Sequence, residues 1–127
     1  MITLTQRDKD KLKGVHPDLV RVVNRLARET DIPFQIGEGL RSWTRQKMLV
    51  ATGKSKTMNS RHLTGHAVDI FPLVGGKPSW DWRYYYPLAK AMKRAAELEN
   101  IRLEWGGDWR SFKDGPHWQL PFSKYPK

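Results

Sequence analysis

The sequence predicts an α+β fold, with helices that precede and interrupt a small sheet. Three observations lead there. Apolar residues recur at helical spacing over 17–29 and again over about 87–100, and short runs rich in β-formers sit at 34–36, 67–71, 101–105 and 117–120. The two kinds of segment do not alternate regularly, as a doubly wound fold would require. At 127 residues the chain is sized for one domain, spanning 1–127 and burying roughly two-thirds of the surface its unfolded form exposes.

The elements follow in order. Thr5 to Lys13 is polar and mixed in charge, a short surface helix that Gly14 ends. Pro17 stands where a helix starts, and Leu19, Val22, Val23, Leu26 and Ala27 give that helix a core-facing side through about Glu29. Asp31-Ile32-Pro33 breaks it, Phe34-Gln35-Ile36 alternates as a strand, and Gly37-Glu38-Gly39 reads as a turn leading to Arg41. Ser42 or Thr44 caps a helix running to about Thr52, with Met48, Leu49 and Ala51 as its apolar positions and Gly53 at its end. A polar loop over 54–59 leads toward the strand Ala67 to Phe71, which Pro72 closes. A Gly75-Gly76 turn and the aromatic run 80–86 precede a helix from about Pro87 to Asn100, with Leu88, Ala91, Met92, Ala95 and Leu98 on one face. Extended structure resumes over 101–105, and His117-Trp118-Gln119-Leu120 is a last strand.

Composition narrows the chemistry. With no cysteine, disulfides, thiolate catalysis and Cys-ligated metals are excluded, so a bound metal has to use His, Asp or Glu. The N-terminus turns charged before an apolar signal region forms, and no later apolar run approaches about 18 residues, so the expectation is cytosolic synthesis with no signal peptide and no membrane span. Lys and Arg number 23 against 13 Asp and Glu, a formal charge of +10 that suggests an anionic partner. Nucleic acid, anionic lipid and the acidic polymers of a bacterial envelope satisfy that charge equally.

The stretch Ser60-Arg61-His62-Leu63-Thr64-Gly65-His66-Ala67-Val68-Asp69-Ile70 concentrates the chemistry. A catalytic zinc site has three protein ligands and an open position for water, and His62, Asp69 and His117 supply such a set if Gly65 bends the chain and the last strand pairs beside the first. Asp114, three residues before His117 across Gly115-Pro116, is the nearest carboxylate for moving a proton. The bland alternative stays open on pattern alone: four histidines fall at metal-compatible separations by chance, and Asp69 could cap a turn or pair with an arginine. His66 reads as a surface or substrate-facing residue and His16 as a polar turn residue.

Taken together, Ser60-x-His62-x-x-Gly65-x-Ala67-x-Asp69, then Glu104-Trp105-Gly106-Gly107-Asp108-Trp109, then Asp114-x-Pro116-His117-Trp118-Gln119 resemble the zinc peptidases grouped with D-alanyl-D-alanine carboxypeptidases. Within that group they look most like the L-alanyl-D-glutamate endopeptidases that serve as bacteriophage endolysins. The resemblance implies a compact domain around a small antiparallel sheet flanked by about three helices, and one Zn2+ held by His62, Asp69 and His117. It makes Asp114 the general base and Arg41 the residue that steadies an oxyanion or a substrate carboxylate, a role that suits a permanently charged fork of donors. Ser60 hydrogen-bonds near metal or substrate or else closes a turn; Trp105 and Trp109 line the cleft or pack the core; Gln46 matches a family position or packs its helix.

The implied activity is hydrolysis of the L-alanyl-D-glutamate bond of the peptidoglycan stem peptide, causing host cell lysis, by a monomer made in the host cytoplasm and released to the periplasmic wall. No separate wall-binding module is visible, and the +10 charge stands in for one by attraction to the anionic envelope. Two rivals remain: a D-alanyl-D-alanine carboxypeptidase or dipeptidase using the same metal chemistry, and a basic nucleic-acid-binding domain with stacking aromatics. Against the second, the basic residues are dispersed and no nucleic-acid-binding signature is present, so no nucleic-acid partner is expected.

Overall fold

A computed structural model of the protein describes residues 1–55, 60–111 and 113–126. Four α-helices, α1 (Gln6–Lys11), α2 (Pro17–Glu29), α3 (Trp43–Ala51) and α4 (Trp82–Leu98), accompany five strands: β1 (Phe34–Glu38), β2 (Ala67–Val74), β3 (Lys77–Pro78), β4 (Glu104–Trp105) and β5 (His117–Gln119). The sheet is antiparallel in the order β1-β2-β5-β4, with β3 paired to the far end of β2. The α+β expectation holds. Of the polar loop expected over 54–59, residues 56–59 lie outside the described residues.

Alternation along the strands gives the sheet two unlike faces. Val68, Ile70 and Trp118 point into the core, where they meet Leu19, Val22 and Leu26 of α2 and Leu88, Met92 and Ala95 of α4. Asp69, His117, Gln119 and Glu104 take the intervening positions on the opposite face. One side of the sheet is therefore committed to packing and the other to polar chemistry.

The edges are closed by local capping. Thr5 and Asp8 form a reciprocal capping box at the start of α1, and the buried Asp8 carboxylate also accepts from the backbone N–H of Ile36 at 3.0 Å. Arg7 donates to the Ile36 carbonyl at 2.8 Å. Helix α1 thus takes up hydrogen-bonding groups that an edge strand would otherwise expose.

Several boundaries differ from the sequence expectation, each for an identifiable reason. The expected turn at Gly37 is a bulge inside β1, where the register shifts between Ile36 and Glu38; a Cβ on Gly37 would stand 2.1 Å from the Phe71 ring. Strand β2 runs past Pro72 to Val74. The Pro72 carbonyl accepts from Ser79 N, so its missing N–H falls on that same side, between the end of the β5 pairing at Asp69 and the start of β3 opposite Leu73. Helix α4 begins at Trp82 and carries Pro87 inside it, because Asp81 caps it by accepting from Arg83 N at 3.0 Å. In α3 the residues expected as an apolar face are not buried: Met48 is 55% exposed, and Gln46 is the buried residue of the helix.

Gly65 turns the chain between the 3-10 helix Arg61–Thr64 and β2 at φ 75°, and its carbonyl accepts from His16 N at 2.8 Å. A Cβ there would lie 2.2 Å from the Gly14 carbonyl oxygen. Gly65→Ala therefore combines a left-handed backbone with a backbone clash, and chemical denaturation of the metal-free chain should show a loss of about 2 kcal/mol or more.

Candidate metal centre

The strand register assembles the site. Asp69 of β2 stands directly opposite His117 of β5 and, across the bulge, opposite Glu38 of β1. His62 arrives from the 3-10 helix, whose first turn is capped by the Ser60 hydroxyl accepting from His62 N at 3.2 Å. Its Nε2 lies 3.2 Å from Asp69 Oδ1, His117 Nδ1 lies 3.6 Å from the same oxygen, and one ligand atom from each of the three residues falls within 4.8 Å of the others. The sequence-predicted ligands are brought together.

Their hydrogen bonds identify which atoms face the centre. His62 Nδ1 is 2.8 Å from the Gly39 carbonyl, a pure acceptor, so Nδ1 carries the proton and Nε2 turns a lone pair inward. Gln119 donates through Nε2 to the Glu104 carboxylate at 3.1 Å, which directs its Oε1 to His117 Nε2 at 2.7 Å. His117 Nε2 is then the donor and Nδ1 the lone pair. Two lone pairs converge on Asp69 Oδ1, which is buried with no hydrogen-bond partner. Three acceptors with no donor among them fit a cation, and nitrogen and carboxylate ligands without sulfur fit Zn2+.

The electrostatics agree. Burial would raise the Asp69 carboxyl, but the two histidines hold it well below the usual carboxylate range. Burial would lower His117, but Asp69 and Gln119 raise it above its ordinary value.

A cleft of about 780 Å³ opens over this floor, lined among others by Glu38, Arg41, Ser60, His62, Asp69, Trp109, Asp114 and His117. The backbone N–H of His117 donates to the Asp114 carbonyl at 3.2 Å, closing the Gly115-Pro116 turn and returning Asp114 to the cleft wall. Shielding from water and the nearby Asp69 charge push the Asp114 carboxyl above its ordinary value, so it takes up a proton more readily than a free carboxylate.

Arg41 is almost wholly buried. Its Nε and Nη2 donate to the two Glu38 oxygens at 2.9 and 2.7 Å, and Nη1 donates to Gln46 Oε1 at 2.7 Å. Burial would raise Glu38, and Arg41 more than offsets it.

Trp105, expected at the cleft, is buried behind the sheet instead. It stacks on Trp118 at 5.7 Å and donates from its indole to the Gly115 carbonyl at 2.7 Å. Trp109 takes the cleft position, its ring 5.1 Å from that of His117. His66 stays outside the centre, 2.6 Å from the Thr64 hydroxyl, and His16 caps α2 by accepting from Asp18 N at 3.1 Å. The supporting residues Gln119, Glu104, Glu38 and the Gly39 carbonyl were missed at the sequence level. Gln119 was the recoverable one, since a residue two after His117 on a strand shares its face.

Comparison with known proteins converges on one family. The family model for phage L-alanyl-D-glutamate peptidase matches residues 1–119. The L-alanyl-D-glutamate peptidase of Listeria phage A118 is 40% identical over 94 residues, covering 74% of this chain and 32% of that protein, so the chain spans about a third of this relative. The L-alanyl-D-glutamate peptidase of Escherichia phage T5 is 29% identical over 113 residues, covering 86% of this chain and 82% of its own. The solved structure of the Serratia marcescens L-Ala D-Glu endopeptidase ChiX superposes with a TM-score of 0.91 at 51% identity, over 98% of this chain and 93% of that one.

Two outcomes follow from the geometry. Gln119→Leu leaves all three ligands in place but frees the His117 ring, and should weaken Zn2+ binding roughly 10- to 100-fold by titration calorimetry. Because His117 is raised above its ordinary 6.5, it is largely protonated below that pH and must lose its proton to bind metal. Zn2+ affinity should therefore rise with pH through this window, with proton release visible as a buffer-dependent binding enthalpy. Binding near pH 6.5 without proton release would remove His117 as a ligand.

Proposed function

The chain belongs to the phage L-alanyl-D-glutamate peptidase family, and on that premise we propose that it is a zinc-dependent endolysin hydrolysing the L-alanyl-D-glutamate bond of the peptidoglycan stem peptide. The observation that carries this reading is the convergence of His62 Nε2, Asp69 Oδ1 and His117 Nδ1 at the floor of an open cleft. Zn2+ held there supplies Lewis-acid chemistry, lowering the pKa of a water and polarising a carbonyl.

The protein's own residues do the rest. Asp114 takes a proton from the attacking water and passes it to the leaving amine, a task suited to a carboxyl whose affinity for protons is raised. Arg41 directs its remaining N–H groups toward the charge that develops on the scissile carbonyl oxygen, held in place by Glu38 and Gln46. Ser60 contributes by fixing the first turn of the His62 segment. Trp109 walls the cleft beside His117.

The carboxypeptidase reading asks Arg41 to grip a free terminal carboxylate in its fork. That fork is already filled by Glu38, which favours an internal bond. No helix among the described residues is long and apolar enough to cross a membrane. The +10 charge supports attraction to the anionic envelope, so binding of the chain to isolated walls should fall steeply as salt is raised from low to high ionic strength.

On purified peptidoglycan the expected product is a new L-alanine C-terminus, seen by mass spectrometry, lost with a chelator and restored by Zn2+. Release of free D-alanine would favour the carboxypeptidase instead. Asp114→Ala should cut turnover by roughly 100- to 10,000-fold while Zn2+ still binds.

A further inference from the structure

The charges lining the cleft are layered. Asp69 lies at the floor and Asp114 on the exposed wall, with Glu38 already paired to Arg41. Around the mouth stand Arg45 of α3, Lys54 just beyond it and Lys113 beside Asp114, all exposed. Among the described residues these three form no ion pair and no side-chain hydrogen bond; Lys13, Arg25, Arg83 and Lys93 are matched with carboxylates elsewhere, and Lys47 and Lys90 are unpaired but lie outside this cleft. Leaving three cations unpaired in one concavity focuses a positive potential on whatever enters it.

Such a rim selects an anionic substrate. A glutamyl residue inside a peptide uses one of its two carboxyls to continue the chain and keeps the other free. At an alanyl-glutamate bond the glutamate supplies the scissile nitrogen, so its free carboxylate stands only a few bonds from the reacting carbon. Arg41 cannot receive it, because Glu38 occupies its fork. Lys113 adjoins Asp114 in sequence, and Arg45 and Lys54 line the same cleft.

We propose that Arg45, Lys54 and Lys113 form a subsite that binds the free carboxylate of the glutamyl residue on the leaving side of the scissile bond, making the enzyme selective for glutamate over its amide. The proposal rests on the peptidase reading above and adds a specificity to it.

The test uses the Zn2+-loaded full chain and two soluble stem peptides that differ only in a D-glutamate carboxylate or carboxamide. Neither contains phosphate, so acidic wall polymers play no part. Wild type should favour the carboxylate by roughly tenfold in kcat/KM, mainly through KM. The triple variant Arg45→Gln, Lys54→Gln, Lys113→Gln should bring that ratio close to one. Lys47→Gln removes a charge from α3 outside the cleft lining and should keep the ratio. Equal use of both peptides by wild type, or a preference that survives the triple substitution, overturns the subsite. Calorimetric binding of the same peptides gives the same comparison without turnover. If neither peptide is cut at the alanyl-glutamate bond yet the carboxylate form binds more tightly, the peptidase reading fails while the subsite stands.

Discussion

A buried carboxylate oxygen with two imidazole lone pairs aimed at it is unstable unless a cation stands among them, and most of the polar structure serves to hold that arrangement. Asp69 and His117 are cross-strand neighbours, so their separation is set by backbone pairing and not by loop position. His62 comes from outside the sheet and needs the Gly65 bend and the Gly39 carbonyl to present the correct nitrogen. Each ligand is thus fixed by a different device, and none depends on the metal to find its orientation.

That division explains what the sequence made legible. Residue types and order offered the ligand set as one of two readings, the roles of Asp114 and Arg41 came through the family resemblance, and the helix over 17–29 could be read because Leu19, Val22, Val23 and Leu26 repeat with the helical period. The pairing of Asp69 with His117 could only be conditional, since register between positions 48 apart is a tertiary property. Trp105 shows the same limit from the other side. An aromatic next to glycines suits a cleft or a core equally, and the stacking of Trp105 on Trp118 decides it. The boundaries at Pro72 and Pro87 were read from a general rule about proline, and local hydrogen bonding overrode that rule in both places.

The α3 wall departs from the usual logic of a helix. It has almost no buried apolar face, and its attachment runs through Gln46, which accepts from Arg41 and donates to Ser55. Arg41 therefore joins two parts of the site: it neutralises Glu38 beside the metal ligands and anchors the wall carrying Arg45. An amphipathic helix packed on the core would be more stable, but its position would not be coupled to the guanidinium that lines the cleft. A polar hinge of this kind ties the wall to the reacting centre.

The same coupling accounts for the placement of charge. A metal centre built from one carboxylate and two neutral imidazoles keeps a net positive charge with a divalent ion bound, and a base that must ionise beside it gains from that charge. A cationic rim pressed against Asp114 would likewise favour its charged form. Pairing Glu38 with Arg41 offsets part of the nearest guanidinium charge, while the unpaired cations stand exposed at the mouth, where water and salt weaken their effect on Asp114. The raised proton affinity of Asp114 in the metal-free chain is the remainder of this balance: burial and Asp69 push it up, and His117, His62 and Arg41 only partly offset them. A cation at the floor opposes the Asp69 contribution, so filling the site beneath Asp114 lowers its affinity for a proton.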